Sequence, residues 1–140
     1  LSETPLAPEQ LSRLRASLTR IPYAQLLGIN LEDAARGAAT LSMRARPELE
    51  RFGGIMHGGA LASLADTASA FAVLSTLEPA AETVTVNLTL HYLRPVTEGN
   101  LTARARVVRG GRRVATVSVE IFDDSGALVV TALTTYLKLG

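Results

Sequence analysis

The chain has 140 residues, with 14 Lys+Arg against 13 Asp+Glu and neither cysteine nor tryptophan. That is one domain's length, able to bury roughly 70% of its unfolded surface without a disulfide or structural metal, and the missing cysteines exclude disulfide scaffolds, thiolate zinc sites and a cysteine nucleophile. A formal charge of +1 argues against broad nucleic-acid binding, while 47% hydrophobic and 19% charged residues set the chain apart from disordered ones.

The opening residues, Leu1-Ser2-Glu3-Thr4-Pro5, have neither the positive start nor the apolar run of a secretory signal, so the cytoplasm is the expected compartment. Pro8-Glu9-Gln10 followed by Leu11, Leu14, Arg15 and Leu18 predicts a short amphipathic helix with proline and acid in its first turn. Pro22 to Leu27 suggests another turn, and residues 1–23 read as an N-terminal helical extension. Ile29 to Ala34, a turn at Ala35-Arg36-Gly37, and Ala38 to Ala45 predict a hairpin that Pro47 closes. Residues 58–77 are rich in alanine and leucine and free of proline, which predicts one long helix. Apolar on nearly every side, it should be buried on every side. A membrane span is the competing reading, but Ser63, Thr67, Ser69, a central Asp66 and the lack of adjacent Lys or Arg count against it.

After Pro79, Thr83 to Leu93 alternates, with Val84, Val86, Leu88, Leu90 and Tyr92 on one face and Thr85, Asn87, Thr89 and His91 on the other. Asn100 to Arg109 and Val114 to Phe122 predict two strands joined by a tight turn at Gly110-Gly111. Asp123-Asp124-Ser125-Gly126 turns the chain into a last strand, Leu128 to Leu139. This order predicts a single α+β domain over residues 1–140, in which a first hairpin and a four-strand meander form one curved antiparallel sheet around the long central helix.

Asp66 is the one charged residue between His57 and Glu78. An unpaired buried carboxylate is costly, so it must pair, protonate or face a polar cleft. Isolated ionisable groups on apolar elements cluster at active sites, and a carboxylate bonded to neighbouring hydroxyls is the plainer alternative. Ahead of the helix, Gly53-Gly54-Ile55-Met56-His57-Gly58-Gly59 places two glycines where free N–H groups and the helix dipole can hold an oxyanion and another molecule can approach the backbone. His57 reads equally as a group that bonds a carbonyl and as a cap on the helix entrance; His91 reads as solvated surface. Arg104, Arg106, Arg109, Arg112 and Arg113 gather on one hairpin. The last three are candidate phosphate contacts, against the alternative that they keep an exposed strand face soluble. Two distant histidines and one aspartate make no metal site, and none is expected.

Gly54-Ile55-Met56-His57-Gly58-Gly59-Ala60-Leu61-Ala62-Ser63-Leu64-Ala65-Asp66-Thr67-Ala68 resembles the signature of the hotdog-fold acyl-CoA thioesterases, and within them the PaaI-like branch. Val86 to Pro95, the Gly111-Arg112-Arg113 turn and Thr134-Thr135-Tyr136 add to a resemblance that spans residues 24–139. It implies a hotdog fold that hydrolyses an acyl-CoA to the acid and coenzyme A with no metal or cofactor. Asp66 would serve as general base or nucleophile, the Gly58 N–H would polarise the carbonyl beside Gly59, and Thr85 would supply a supporting hydroxyl. The family commonly carries asparagine where this chain has Arg51, which could bind a phosphate or a substrate acid or simply lie on the surface beside Glu48 and Glu50.

Two rival readings exist. A hotdog dehydratase carries its acid further along the helix, where this chain has Phe71, and a non-catalytic acyl-CoA-binding module has no use for Asp66. Ala62, Ser63, Ala70 and Phe71 could line a pocket for an aromatic or medium-chain acyl tail. Gly58 and Asp66, eight residues apart on one helix, lie about 12 Å apart along its axis. One thioester cannot easily reach both ends within a protomer, so two antiparallel helices in a homodimer with shared sites are expected. The resemblance extends this to a dimer of dimers. No nucleic-acid or membrane partner is expected.

Overall fold

The computed structural model describes residues 4–139; the first three residues of the expected N-terminal extension lie outside them. The elements run α1 (Pro8–Thr19), α2 (Pro22–Leu27), β1 (Asn30–Ala35), β2 (Ala38–Arg44), a 3-10 turn (Pro47–Leu49), β3 (Glu50–Arg51), β4 (Ile55–Met56), α3 (Gly58–Leu74), β5 (Glu82–Tyr92), β6 (Asn100–Gly110), β7 (Val114–Phe122) and β8 (Leu128–Leu139). Strands β1-β2-β6-β7-β8-β5 form one antiparallel sheet, and β3 and β4 form a small second one. This is the expected hotdog arrangement of a sheet around a helix. The helix packs against β2, β5, β6, β7 and β8.

Small residues explain how closely they fit. Ala60, Ala65, Ala68 and Ala72 of α3 are buried, and the sheet meets them with Leu41, Met43, Ala103, Ala105, Val117 and Val119, all at most 3% exposed. Alternation at period two puts these side chains on one face of β2, β6 and β7. Helix α1 lies outside this layer, where the Arg15 guanidinium donates to the Leu31 and Glu32 carbonyls at 3.2 and 2.7 Å and ties α1 to β1.

Four expectations are corrected. Helix α3 stops at Leu74, not Leu77. The hydroxyls of Ser75 and Thr76 bond back to the Ala72 and Val73 carbonyls at 2.7 Å each, and such local bonds compete with further helical turns. Nor is α3 buried all round: Ala62, Ser63, Asp66, Thr67, Ala70 and Leu74 form a half-buried stripe. The four-strand meander is instead three strands, β6 to β8, because β5 pairs with β8 while β6 pairs with β2. The Leu93–Gly99 segment makes that crossing past the sheet end, held by Leu93 N–H to Val129 O at 2.8 Å and by buried Val96.

The β6–β7 hairpin also turns at a different place. Gly110 pairs with Ala115, and Gly111 N–H donates to Val114 O at 2.9 Å, which puts Arg112-Arg113 at the tip in place of Gly110-Gly111. Among the described residues no helix is long and apolar enough to cross a membrane.

Candidate active site

Asp66 lies at mid-helix on the half-buried stripe of α3, and its neighbours come from the far edge of the sheet. The β5–β8 register slips between Thr85 and Asn87, leaving Val86 as an extra residue in β5. Past the bulge, Leu88 and Leu90 sit opposite Thr134 and Ala132 of the helix-facing row of β8; before it, Thr85 sits opposite Tyr136 of that same row. The strict alternation expected from Thr83 to Leu93 is therefore broken. A bulge re-aims side chains, and here it turns the Thr85 hydroxyl toward the helix, where Oγ1 donates to Asp66 Oδ1 at 2.8 Å.

Tyr136 completes the group. It is 2% exposed, and its hydroxyl donates to Asp66 Oδ1 and shares its proton with the Asp66 backbone carbonyl. Burial, and then the adjacent Asp66 carboxylate, hold the Tyr136 phenol far above the ordinary tyrosine range. In the sequence Tyr136 belongs to the Thr134-Thr135-Tyr136 stretch that adds to the resemblance, with no role of its own. The available signal was a tyrosine in an inward-facing row of small and aliphatic residues, because a buried hydroxyl needs a partner.

A pH dependence follows. The unfolded chain releases the Tyr136 proton near the ordinary value of 10.0 while the folded chain retains it, so the folded state binds more protons and stability falls as pH rises above about 10. Below that range this contribution is present in full. Thermal unfolding should show a shallower loss of stability above about pH 10 for Tyr136→Phe than for the unsubstituted chain; equal slopes would mean that Tyr136 ionises freely in the folded state.

Gly58 occupies the other end of α3. The His57 imidazole caps the helix, its Nδ1 accepting the Gly59 N–H at 2.8 Å, so a neutral ring carries its proton on Nε2. As the first helical residue, Gly58 has an N–H with no intrahelical acceptor. Its carbonyl accepts the Tyr92 hydroxyl at 2.8 Å, and a Cβ at Gly58 would stand 3.3 Å from the Tyr92 ring. Arg51 lies apart on the β3–β4 hairpin, exposed, donating to the Phe52 carbonyl at 2.8 Å with its guanidinium 5.2 Å from the Phe52 ring centre.

Two depressions result. Asp66, Thr85 and Tyr136 line a cleft of about 780 Å³ that runs between α1 and the C-terminal half of α3, whereas Gly58 lines a separate one of about 250 Å³ with Tyr92 and Pro95. The structure thus joins Asp66 to Thr85 and keeps Gly58, Gly59 and His57 away from them. Ala70 and Phe71 line the larger cleft, as do Arg13 of α1 and Arg20 directly after it, which sequence reasoning missed. Arg109, Arg112 and Arg113 are exposed on the β6–β7 hairpin, where Lys138 Nζ donates to Gly111 O at 2.8 Å. Among the described residues no group of three or more His, Asp or Glu side chains could hold a metal.

A hotdog sheet around an alanine-rich helix with one carboxylate at its middle defines a class, and residues 53–130 match the model of the Thioesterase superfamily. The chain belongs to that superfamily. It is 34% identical over 111 residues to a candidate esterase of Saccharolobus solfataricus, covering 79% of this chain and 73% of that one. It is also 26% identical over 132 residues to the medium/long-chain acyl-CoA thioesterase YigI of Escherichia coli K12, covering 84% and 85%. Among solved structures, the Escherichia coli PaaI protein from the phenylacetic acid degradation operon superposes with a TM-score of 0.85 at 28% identity over 92% of each chain.

Proposed function

We propose that this protein hydrolyses an aryl or medium-chain acyl-CoA to the free acid and coenzyme A, as a member of the PaaI-like branch. The observation that carries the reading is the Asp66 carboxylate held through one oxygen in the wall of a large cleft. Both donors fall on Oδ1, which leaves Oδ2 for the reaction. As general base, Oδ2 takes a proton from water, whose oxygen attacks the thioester carbon; as nucleophile, it attacks that carbon directly and water then cleaves the anhydride. Either route puts negative charge on the carbonyl oxygen, which an N–H at the positive end of a helix stabilises. Collapse breaks the C–S bond and releases coenzyme A. In single-turnover hydrolysis in H2(18)O, solvent oxygen on Asp66 identifies the nucleophilic route with water attacking the Asp66 carbonyl carbon of the anhydride.

Gly58 supplies that N–H from a second copy of the chain. Strand β5 is one edge of the sheet and exposes Val84, Val86 and Tyr92, with exposed Leu93 directly after it. Thr85 of β5 touches Asp66 near one end of the strand and Tyr92 touches Gly58 at the other. Two β5 edges paired antiparallel about a two-fold axis therefore bring Gly58 of each protomer toward Asp66 of its partner. We extend this to a dimer of dimers, as the resemblance implies, in the cytoplasm. His57 keeps the Gly58 loop in place, and Gly59 and Arg51 border the incoming thioester.

The deciding experiment is release of free thiol from a panel of acyl-CoA esters, for which a chain without cysteine contributes no background. Saturable binding without thiol release would replace hydrolysis by a binding module. Arg109, Arg112 and Arg113 would contact the phosphates of coenzyme A by charge-assisted hydrogen bonds. Replacing Arg112 and Arg113 together by alanine should then raise KM for acyl-CoA several-fold and spare a thioester that lacks the nucleotide. Equal changes on both substrates would remove these residues from the binding site.

A further inference from the structure

The cleft at Asp66 is longer than the reaction requires. From the carboxylate it continues along α3 past Ala70, Phe71 and Leu74 to Leu77, with Leu14 and Ile21 on the facing wall. Asp66 and Leu74 are eight residues apart, hence about 12 Å along the helix axis. An extended chain advancing ~1.2 Å per bond would span that distance with about ten carbons. Ala70, one turn beyond Asp66 and half-buried, is the small residue that keeps the passage open. The other charged residues in the cleft, Arg13, Arg20, Glu78 and Glu82, balance in sign, and the last three are exposed. A tail with a terminal charge gains nothing there.

Helix α1 is the unexpected wall. It precedes residues 53–130, the part matched by the superfamily model, and supplies the facing side of the cleft. Arg15 fastens it to β1, and buried Leu14 and Leu18 dock it on the core. Resting on the thioesterase reading, we infer that the acyl group is a neutral, unbranched chain of about ten carbons lying between α1 and the C-terminal half of α3, and that Leu14 and Ile21 on α1's side and Ala70 on α3 set its length. An aromatic acyl group would end within one turn of Asp66 and leave Leu74 and Leu77 uncovered.

The test compares kcat/KM for butyryl-, decanoyl- and phenylacetyl-CoA in the unsubstituted protein, in Ala70→Phe, which narrows the passage, and in Ile21→Trp, a substitution at a surface position on the opposite wall that does not disturb the core. The expected result is decanoyl-CoA preferred over butyryl-CoA by at least about tenfold, with each variant losing about tenfold more on decanoyl- than on butyryl-CoA. Equal losses on both esters, or a preference for phenylacetyl-CoA over decanoyl-CoA, would overturn the assignment. Should none of the esters be hydrolysed, the thioesterase reading fails by itself. Calorimetric binding of the non-hydrolysable S-decyl- and S-ethyl-CoA then decides the cleft: tighter binding of the decyl compound that both variants weaken upholds it, and equal binding of the two refutes it.

Discussion

Asp66→Asn keeps a folded protein and lowers kcat on the order of 10²-fold or more. The amide has the carboxylate's shape, so its oxygen can still accept from Thr85 and Tyr136, and the helix around it is unchanged. What it loses is the ability to take a proton or to attack carbon. Tyr136→Phe retains the charge and leaves Thr85 as the one donor to Oδ1, so its loss should be smaller, about tenfold in kcat with KM little changed. Matched unfolding temperatures together with steady-state rates separate chemistry from folding. Turnover of Asp66→Asn near that of the unsubstituted protein would remove Asp66 from the mechanism.

Gly58→Val should abolish turnover and yet restore part of it in a mixed dimer. A side chain at Gly58 meets the Tyr92 ring at 3.3 Å. Tyr92 is 53% exposed and can swing aside, so the fold survives while the approach to the Gly58 N–H is filled. If that N–H serves the partner's Asp66, a chain carrying Gly58→Val and a chain carrying Asp66→Asn, each inactive alone, form one intact site per hybrid dimer when denatured and reassembled together. Activity approaching a quarter of the unsubstituted level is expected from random pairing, since about half of the dimers are hybrids with one working site of two. No recovery in proven hybrids would place both groups of a site within one chain.

The candidate site was legible in the sequence as far as local chemistry reaches. Asp66 stood out because a lone carboxylate interrupts an alanine and leucine helix, and Gly58 because the first residue of a helix has a free N–H; both follow from their neighbours in the chain. His57 was open between two roles, and the structure shows it capping α3. Tyr136 was missed because its partner is 70 residues away. Arg13 and Arg20 were missed because no spacing within α1 reports which element α1 will face.

Hydrophobic period and helix-starting chemistry, which are properties of consecutive residues, thus sufficed for the central helix, the two early strands, the four late ones and the α+β class. Strand order was decided by the tertiary structure. Each late strand alternates well enough to neighbour any other, and pairing β5 with β8 instead of β6 depends on the Leu93–Gly99 crossing and on which row meets the helix. So was the orientation of Thr85. A slip of one residue reverses every side chain beyond it, and the extra residue at Val86 is defined only against β8. The carboxylate is therefore local information, whereas the two hydroxyls that hold it, and the cleft that α1 closes beside it, exist only once distant strands and helices have packed.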